Sequence, residues 1–224
     1  MFMMLKKTAD IKMYFKRQLV KKQFTIDKTG CNVIELVGAC FEADKPSIFG
    51  VPNIDYIKKE IKWYDSMSLN INDMKEPPKQ WVATANDKGE INSNYGYLFY
   101  SHENHNQFSH VLSELISNPN SRRACAIYNR PSIWIDHDLN GKNDFICTNA
   151  VTYYIRNNFL HTVVQMRSND VVFGYKNDFA WQREARNRLL QNLNNHLNSD
   201  IRQGKIIWQV QNLHVYERHF KLIK

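Results

Sequence analysis

Residues 147–181, CTNAVTYYIRNNFLHTVVQMRSNDVVFGYKNDFAW, combine strand patterns with a cluster of reactive and charged side chains. β-Branched and apolar residues dominate 149–155 and 160–165, which predicts two strands. The polar residues 156–158 between them predict a short hairpin connection. The apolar positions of 179–197 recur at helical spacing, so a long helix is expected after the hairpin.

Outward from this stretch, the same periodicities predict further helices and strands. Helices are expected over 10–22, 54–67 and 107–116, and strands over 32–41, 123–128, 206–210 and 213–219. Helices and mostly antiparallel strands are mixed without a regular βαβ alternation. The sequence therefore predicts one α+β domain spanning residues 1–224, with a mixed, mostly antiparallel sheet flanked by helices.

Composition excludes several classes of protein. A chain of 224 residues with 43% hydrophobic and 23% charged residues is not typical of a disordered, collagen-like or coiled-coil protein. The net charge of +8 favours anionic partners. No stretch approaches the ~20 apolar residues of a membrane helix, and the start MFMMLKKTAD is too short for a signal peptide, so a cytoplasmic protein is expected.

Neither the cysteines nor the acidic residues predict a metal site. Cys31, Cys40, Cys125 and Cys147 form no CxxC pair, so reduced thiols are expected. The segment 136–141, DHDLNG, begins like a calcium-binding loop, but position twelve is Cys147 instead of the required glutamate. We therefore expect no bound metal.

The end of the second predicted strand carries a possible anion site. Arg167 and Ser168 would be followed by backbone N–H groups at a strand end, and a guanidinium with a hydroxyl suits a phosphate. On spacing alone, a structural, salt-bridged arginine is the favoured interpretation. The basic face of helix 10–22 is typical of a solvated surface rather than a nucleic-acid footprint.

Several ordered motifs resemble one known family, the thymidylate synthase and deoxycytidylate hydroxymethylase superfamily, and most of all its hydroxymethylase branch in T-even bacteriophages. The resemblance extends from about Asp27 to the C-terminus. It rests on DKTG at 27–30, KGEINSNYG at 88–96, NPNSRR ending at Arg123, the Cys147 region, MRSNDVVFG and LHVY at 213–216. It implies the thymidylate synthase-like fold, with the sheet forming the interface of a homodimer.

The resemblance also implies a covalent mechanism. Cys147 matches the family's nucleophile, which adds to C6 of a pyrimidine so that C5 can attack the one-carbon unit of 5,10-methylenetetrahydrofolate. Glu60 matches the catalytic glutamate that organises proton transfer, and Tyr95 matches an active-site tyrosine.

Further residues match binding positions of the family. The implied substrate-binding set comprises Lys28, Arg122, Arg123, Arg167, Ser168, Asn169, Asp178, His214 and Tyr216. In this set Arg122 and Arg123 reach the phosphate from the partner subunit, and His214 with Tyr216 holds the sugar hydroxyl. Trp81, Asp170 and Gly174 are implied near the folate and the base.

Position 178 is expected to select the base. Members that use deoxyuridylate have Asn here, because an amide accepts from N3–H and donates to O4 of uracil. Asp178 can instead accept from N3–H of a protonated cytosine and from its N4 amino group. This favours dCMP over dUMP, and it is compatible with Asp178 also capping the helix predicted from Phe179.

The expected activity is therefore conversion of dCMP, 5,10-methylenetetrahydrofolate and water to 5-hydroxymethyl-dCMP, for modified phage DNA in the host cytoplasm. Thr148 stands where synthases have His, which fits the hydroxymethylase branch, while the chain ends at Lys224, before a segment that closes the site in relatives. The alternatives are a dCMP methylase, a thymidylate synthase or dUMP hydroxymethylase, and a non-catalytic nucleotide- or nucleic-acid-binding protein. Other phage nucleotide-synthesis enzymes are possible partners.

Overall fold

A computed structural model describes residues 6–138 and 141–224, which form two compact units. Of the described residues, the first unit combines 6–52 with 154–224, and the second consists of 53–138 and 141–153. The elements in chain order are β1 (Lys6–Lys7), α1 (Thr8–Val20), β2 (Thr25–Ile26), β3 (Asn32–Glu42), α2 (Ile54–Asp65), α3 (Lys79–Thr84), α4 (Tyr95–Tyr100), α5 (Gln107–Ser117), β4 (Cys125–Ile127), α6 (Ile133–Asp136), β5 (Thr148–Arg156), β6 (Phe159–Asp170), α7 (Gly174–Leu197) and β7 (Arg202–Tyr216). Short 3-10 helices add Ile71–Asp73 and Glu217–Ile223.

The first unit is built on a mixed sheet. Its strands hydrogen-bond in the order β1-β3-β7-β6, followed by the last residues of β5, while β2 pairs with β3. β3 runs antiparallel to β7, and β6 runs parallel to β7. The β5–β6 turn has positive φ at both Asn157 and Asn158, as a type I′ hairpin requires. The predicted hairpin is confirmed.

The central strand β7 corrects one prediction. Two strands were expected over 206–210 and 213–219, but β7 is one strand of 15 residues, and the last residues of the second expected strand are helical. Polar side chains of β7 make hydrogen bonds to the neighbouring strands. Gln209 accepts from the Gln165 amide, and the Asn212 amide donates to Glu35 at 2.6 Å.

Two helices cover this sheet. α1 packs on β3 through the buried Ile11 and Phe15, while α7 lies against β6 and β7. α7 begins at Gly174, earlier than the expected Phe179, so Asp178 lies inside the helix and the prediction that it caps the N-terminus is wrong. The helix starts early because Asp170 accepts hydrogen bonds from the backbone N–H groups of Val172 and Phe173 directly after β6.

The second unit packs short helices around an aromatic core. α2, α4 and α5 contact one another in sequence, α5 contacts β4, and β4 pairs antiparallel with β5. Trp63, Phe99 and Tyr128 are buried in this core. Helix α2 confirms the helix expected over 54–67, whereas α3, α4 and α6 are too short to stand out as helical periodicity.

The predicted fold class is confirmed as α+β with an open sheet flanked by helices. Whether residues 1–224 act as a single catalytic domain stays a prediction. Within 6–138 and 141–224, every helix is too short or too polar to cross a bilayer. The first five residues of the expected N-terminal stretch lie outside the described part.

Candidate active site

The second unit holds Cys147 at the point where β5 begins. The residue is half-buried, is not part of a disulfide, and its Sγ lies 3.7 Å from the carbonyl oxygen of Phe145. The following residue, Thr148, is buried and starts the strand. Cys147 thus lies directly before a regular strand and is partly exposed.

Glu60 is the most unusual ionisable group of this unit. It lies in α2, is 4% exposed, and accepts a hydrogen bond of 2.7 Å from the Tyr56 hydroxyl. Burial raises the pKa of Glu60 to about 7, although hydrogen bonds from Tyr56, Trp81 and Tyr64 favour the charged form. The carboxyl group can therefore take up and release a proton near neutral pH, as a general acid–base group must.

Aromatic rings connect α2, which carries Glu60, with α4, which carries Tyr95. The Tyr64 and Tyr95 rings stack at 5.4 Å, and Tyr95 meets Tyr128 edge-on at 5.6 Å. The sequence predictions included Glu60, Tyr95 and Trp81 but missed Tyr56 and Tyr64. The signal was present, because residues 56, 60 and 64 follow one another at intervals of four along one helix face.

Arg122 and Arg123 lie at the surface after α5. The Arg123 side chain is 81% exposed, and its guanidinium lies 3.2 Å from Glu114. The Ser121 hydroxyl donates to the same carboxylate. An exposed ion pair of this kind stabilises little, so it leaves Arg123 available to another ligand.

The first unit brings several predicted residues together where β6 and β7 run side by side. Asp170 pairs with His214 in the parallel register, and Ser168 pairs with Asn212. His214 is buried beside Tyr216, whose ring meets it edge-on at 4.7 Å. Burial lowers the pKa of His214 and outweighs the negative charge of Asp170, which acts to raise it. His214 is therefore neutral at neutral pH.

Asp170 is held rigidly at the end of β6. One carboxylate oxygen accepts from the backbone N–H groups of Val172 and Phe173 at 2.6 and 2.7 Å, and the other lies 3.4 Å from Nδ1 of His219. Burial acts to raise the pKa of Asp170, but the nearby His219 imidazole and the hydrogen bonds from the two backbone groups outweigh it and lower the pKa. Asp170 is thus a buried carboxylate that stays charged, and the sequence predictions missed its partner His219.

Asp178 faces the same strand end from α7. The amide Nδ2 of Asn169 donates to its Oδ2 at 2.7 Å, and the amide oxygen of Asn169 accepts from the Trp208 indole at 3.2 Å. Gly174 lies one turn before Asp178 and close to both side chains. Asp178, the predicted base-selecting residue, is therefore oriented by Asn169 and, through it, by Trp208. The sequence predictions treated Asn169 separately and missed Trp208.

Lys28 lies in the turn between β2 and β3. Asp27 accepts there from the backbone N–H groups of Thr29 and Cys31, and Gly30 supplies a φ of +81°. These contacts explain the DKTG motif as a hairpin turn with an exposed lysine. A role of Lys28 at a phosphate stays a prediction.

Among residues 6–138 and 141–224, no three His, Cys, Asp or Glu side chains are grouped closely enough to hold a metal ion. Asn140, part of the segment that begins like a calcium-binding loop, lies outside the described residues. A short helix, α6, ends at Asp136, the first residue of that segment.

Comparison with known proteins relates these residues to one family. A family model described as thymidylate synthase matches residues 21–224. The protein named deoxycytidylate 5-hydroxymethyltransferase of Enterobacteria phage T4 is 47% identical over 216 residues, covering 96% of this chain and 88% of the relative, and that of phage T2 gives the same values. A thymidylate synthase of Fusobacterium nucleatum is 30% identical over 149 residues, covering 65% of this chain and 50% of that protein.

A solved structure also matches the fold of this chain. The solved structure of thermostable thymidylate synthase A from Bacillus subtilis matches with a TM-score of 0.69 at 17% identity, covering 97% of this chain and 82% of that one. The expected thymidylate synthase-like fold is confirmed. The family model and the phage relatives together show that the chain belongs to the thymidylate synthase family.

Proposed function

We propose that this one-carbon transferase converts dCMP, 5,10-methylenetetrahydrofolate and water into 5-hydroxymethyl-dCMP and tetrahydrofolate. The observation that carries the proposal is the 47% identity, over 96% of the chain, to proteins named deoxycytidylate 5-hydroxymethyltransferase. Asp178, with its carboxylate oriented by Asn169, supports the choice of base.

In the proposed mechanism, the Cys147 thiolate adds to C6 of the pyrimidine, and the electron pair moves to C5, which attacks the one-carbon unit. The C5 proton is then lost, and elimination of tetrahydrofolate leaves an exocyclic methylene on the base. Water adds to this methylene carbon, and the C6–Sγ bond breaks to release Cys147. Glu60, with a pKa near neutrality, is suited to move the protons that these steps require.

Asp178 would choose the base by hydrogen-bond complementarity. A carboxylate accepts from both N3–H and the N4 amino group of protonated cytosine, whereas O4 of uracil would face a second acceptor. An unpaired polar group in a desolvated site discriminates strongly between substrates. This argument favours dCMP over dUMP.

The phosphate, sugar and folate assignments follow the family resemblance. We assign the phosphate to Lys28, Arg167 and Ser168, with Arg122 and Arg123 supplied by the second subunit of a homodimer, and we assign Asn169 to the substrate site through its contact with Asp178. The exposure of Arg122 and Arg123 in the chain supports this arrangement. His214 and Tyr216 would hold the sugar hydroxyl. Trp81, Asp170 and Gly174 would lie at the folate, where the charged Asp170 suits ring N–H donors.

The alternatives predict different products. A dCMP methylase would share the Cys147 chemistry but reduce the methylene, and a thymidylate synthase or dUMP hydroxymethylase would act on uracil. A non-catalytic nucleotide- or nucleic-acid-binding protein would give no product. The buried Glu60 with a neutral-range pKa disfavours the last alternative, because binding an anion needs no buried carboxyl group.

The test is the mass of the nucleotide formed from an equimolar mixture of dCMP and dUMP with 5,10-methylenetetrahydrofolate. We expect a hydroxymethyl group on dCMP alone. Cys147→Ser is expected to abolish product while retaining dCMP binding, and Cys125→Ser, which changes another half-buried thiol of the same unit, is the matched control. A methyl product, a product from dUMP, or undiminished turnover by Cys147→Ser would contradict the proposal.

We place the enzyme in the host cytoplasm during phage infection, with other phage nucleotide-synthesis enzymes as partners of the exposed basic face of α1. Unchanged partner capture after replacing Lys12, Lys16 and Arg17 with Gln would contradict that role of α1.

A further inference from the structure

A directed chain of hydrogen bonds ends at Asp178. The indole Nε1 of Trp208 donates to Oδ1 of Asn169 at 3.2 Å, and Nδ2 of Asn169 donates to Oδ2 of Asp178 at 2.7 Å. Trp208 is 0% exposed and Asn169 is 4% exposed, so water does not compete for these groups. The chain joins β7, β6 and α7 within the first unit.

The chemistry of the three groups allows only one direction. An indole N–H can donate but not accept, so the amide oxygen of Asn169 must face Trp208. The amide NH₂ then faces Asp178, so Oδ2 accepts from it and cannot direct a proton towards Asn169. Trp208 therefore determines the hydrogen-bonding role of a carboxylate that it does not touch.

Close packing keeps the amide in this orientation. A Cβ at Gly174 would lie 3.2 Å from Nδ2 of Asn169 and 3.7 Å from Oδ2 of Asp178, so the helix backbone approaches both groups closely. Trp208 packs edge-on against Tyr175 at 5.4 Å, in the helical turn that also contains Gly174. The indole is thus fixed by the same helix that carries Asp178.

We propose that Trp208 is a positioning residue that, through Asn169, keeps Asp178 an acceptor and thereby sets the preference for cytosine over uracil. The inference rests on the proposed function. An acceptor suits the N4 amino group of cytosine and repels O4 of uracil. Without the indole donor, the Asn169 amide is free to turn its oxygen towards Asp178, whose Oδ2 then takes a proton, and a neutral carboxyl group repels O4 less.

The test compares Trp208→Phe with Tyr175→Phe. Both remove one donor from a buried aromatic residue, but the Tyr175 hydroxyl donates to the carbonyl of Lys45 and not to the chain that ends at Asp178. We expect Trp208→Phe to lower the preference for dCMP over dUMP by about tenfold. This preference is the ratio of kcat/KM for dCMP to kcat/KM for dUMP, and calorimetry gives the corresponding ratio of affinities. Tyr175→Phe is expected to keep the wild-type ratio. An unchanged ratio in folded Trp208→Phe overturns the inference.

A second variant covers the case in which Trp208→Phe does not fold. Asn169→Leu keeps the branching at Cγ and deletes the central link, so the preference for dCMP over dUMP is expected to fall at least as far. In the double variant the two effects should not add. A full wild-type ratio in Asn169→Leu overturns the inference. Affinity measurements distinguish failure of this inference from failure of the proposed function. A wild-type protein that binds dCMP more tightly than dUMP but makes no product contradicts only the proposed function.

Discussion

At the scale of single residues, Glu60 illustrates how position creates chemistry. A glutamate in solution is ionised at neutral pH, but in α2 it is buried beneath aromatic rings that offer three hydrogen bonds and no cation. Desolvation outweighs those bonds and raises its pKa to about 7. The group is therefore poised for proton transfer at a cost in folding stability.

Removing the Tyr56 hydroxyl is expected to raise the pKa of Glu60 further. The hydroxyl donates to the carboxylate at 2.7 Å and so stabilises the charged form. In Tyr56→Phe, the limb of the pH–rate profile that reports Glu60 should move to higher pH. Tyr97→Phe removes a phenol that interacts with Ser101 instead and serves as the control. An identical profile in Tyr56→Phe would show that the contact does not tune Glu60.

Glu60 should also make the protein less stable as pH rises. Its pKa in the folded chain, about 7, is above the 4.5 of an unperturbed glutamate. The stabilisation from the protonated form is complete below the unfolded pKa and is lost as pH rises through the folded pKa, a change of roughly 3 kcal/mol. Urea unfolding of Glu60→Gln at about pH 5 and about pH 8 should lack this part of the loss. Equal pH dependence in the two proteins would contradict the assignment.

At the scale of elements, the contact between α2 and α4 depends on a glycine. Gly96 is the second residue of α4, and a Cβ there would overlap the backbone carbonyl of Tyr64 in α2. The two helices carry Glu60 and Tyr95. Close approach of the helices is thus a condition for the stacked rings around Glu60.

Gly96→Ala is expected to destabilise the protein by about 1–3 kcal/mol, because the added methyl forces the two backbones apart. Turnover should fall as well, since the Tyr64 and Tyr95 rings stack across the same contact. Urea unfolding and steady-state rates measure the two effects. Wild-type stability in Gly96→Ala would mean that the helices separate without cost.

The elements also differ in how well the sequence predicted them. The hairpin at Asn157–Asn158 and the helices α1, α2 and α5 follow local periodicity and turn preference, so they were predicted within a few residues. The start of α7 and the continuity of β7 were not. Asp170 begins the helix early, and β3 and β6 on either side hold β7 together through its polar residues.

At the scale of the whole molecule, the proposed homodimer assigns Arg122 and Arg123 to the partner's phosphate site. This arrangement makes each active site depend on two chains. A chain that lacks the two arginines can therefore still form a complete site when its partner supplies them. A twofold dimer presents the same two arginines in both directions.

Mixing two inactive proteins tests this dependence. Cys147→Ser lacks the nucleophile, and a double Arg122→Ala, Arg123→Ala variant lacks the cross-subunit arginines. After joint unfolding and refolding of equal amounts, mixed dimers should contain one complete site, giving roughly a quarter of wild-type activity. Activity that stays at the level of the separate variants would mean that the arginines serve their own chain.

Local chemistry accounts for what could be predicted from the sequence. Periodicity and turn residues indicated an α+β fold, and the resemblance of ordered motifs to a known family pointed to Cys147, Glu60, Arg167 and Asp178, because these signals depend on neighbours along the chain. The environment of those residues depends on neighbours in space. Trp208 is 39 residues from the Asn169 amide that it orients, and the pKa of Glu60 depends on the packing of Trp81 against α2. Register, burial and hydrogen-bond direction arise only when distant segments meet, because desolvation and donor–acceptor geometry are properties of the packed chain.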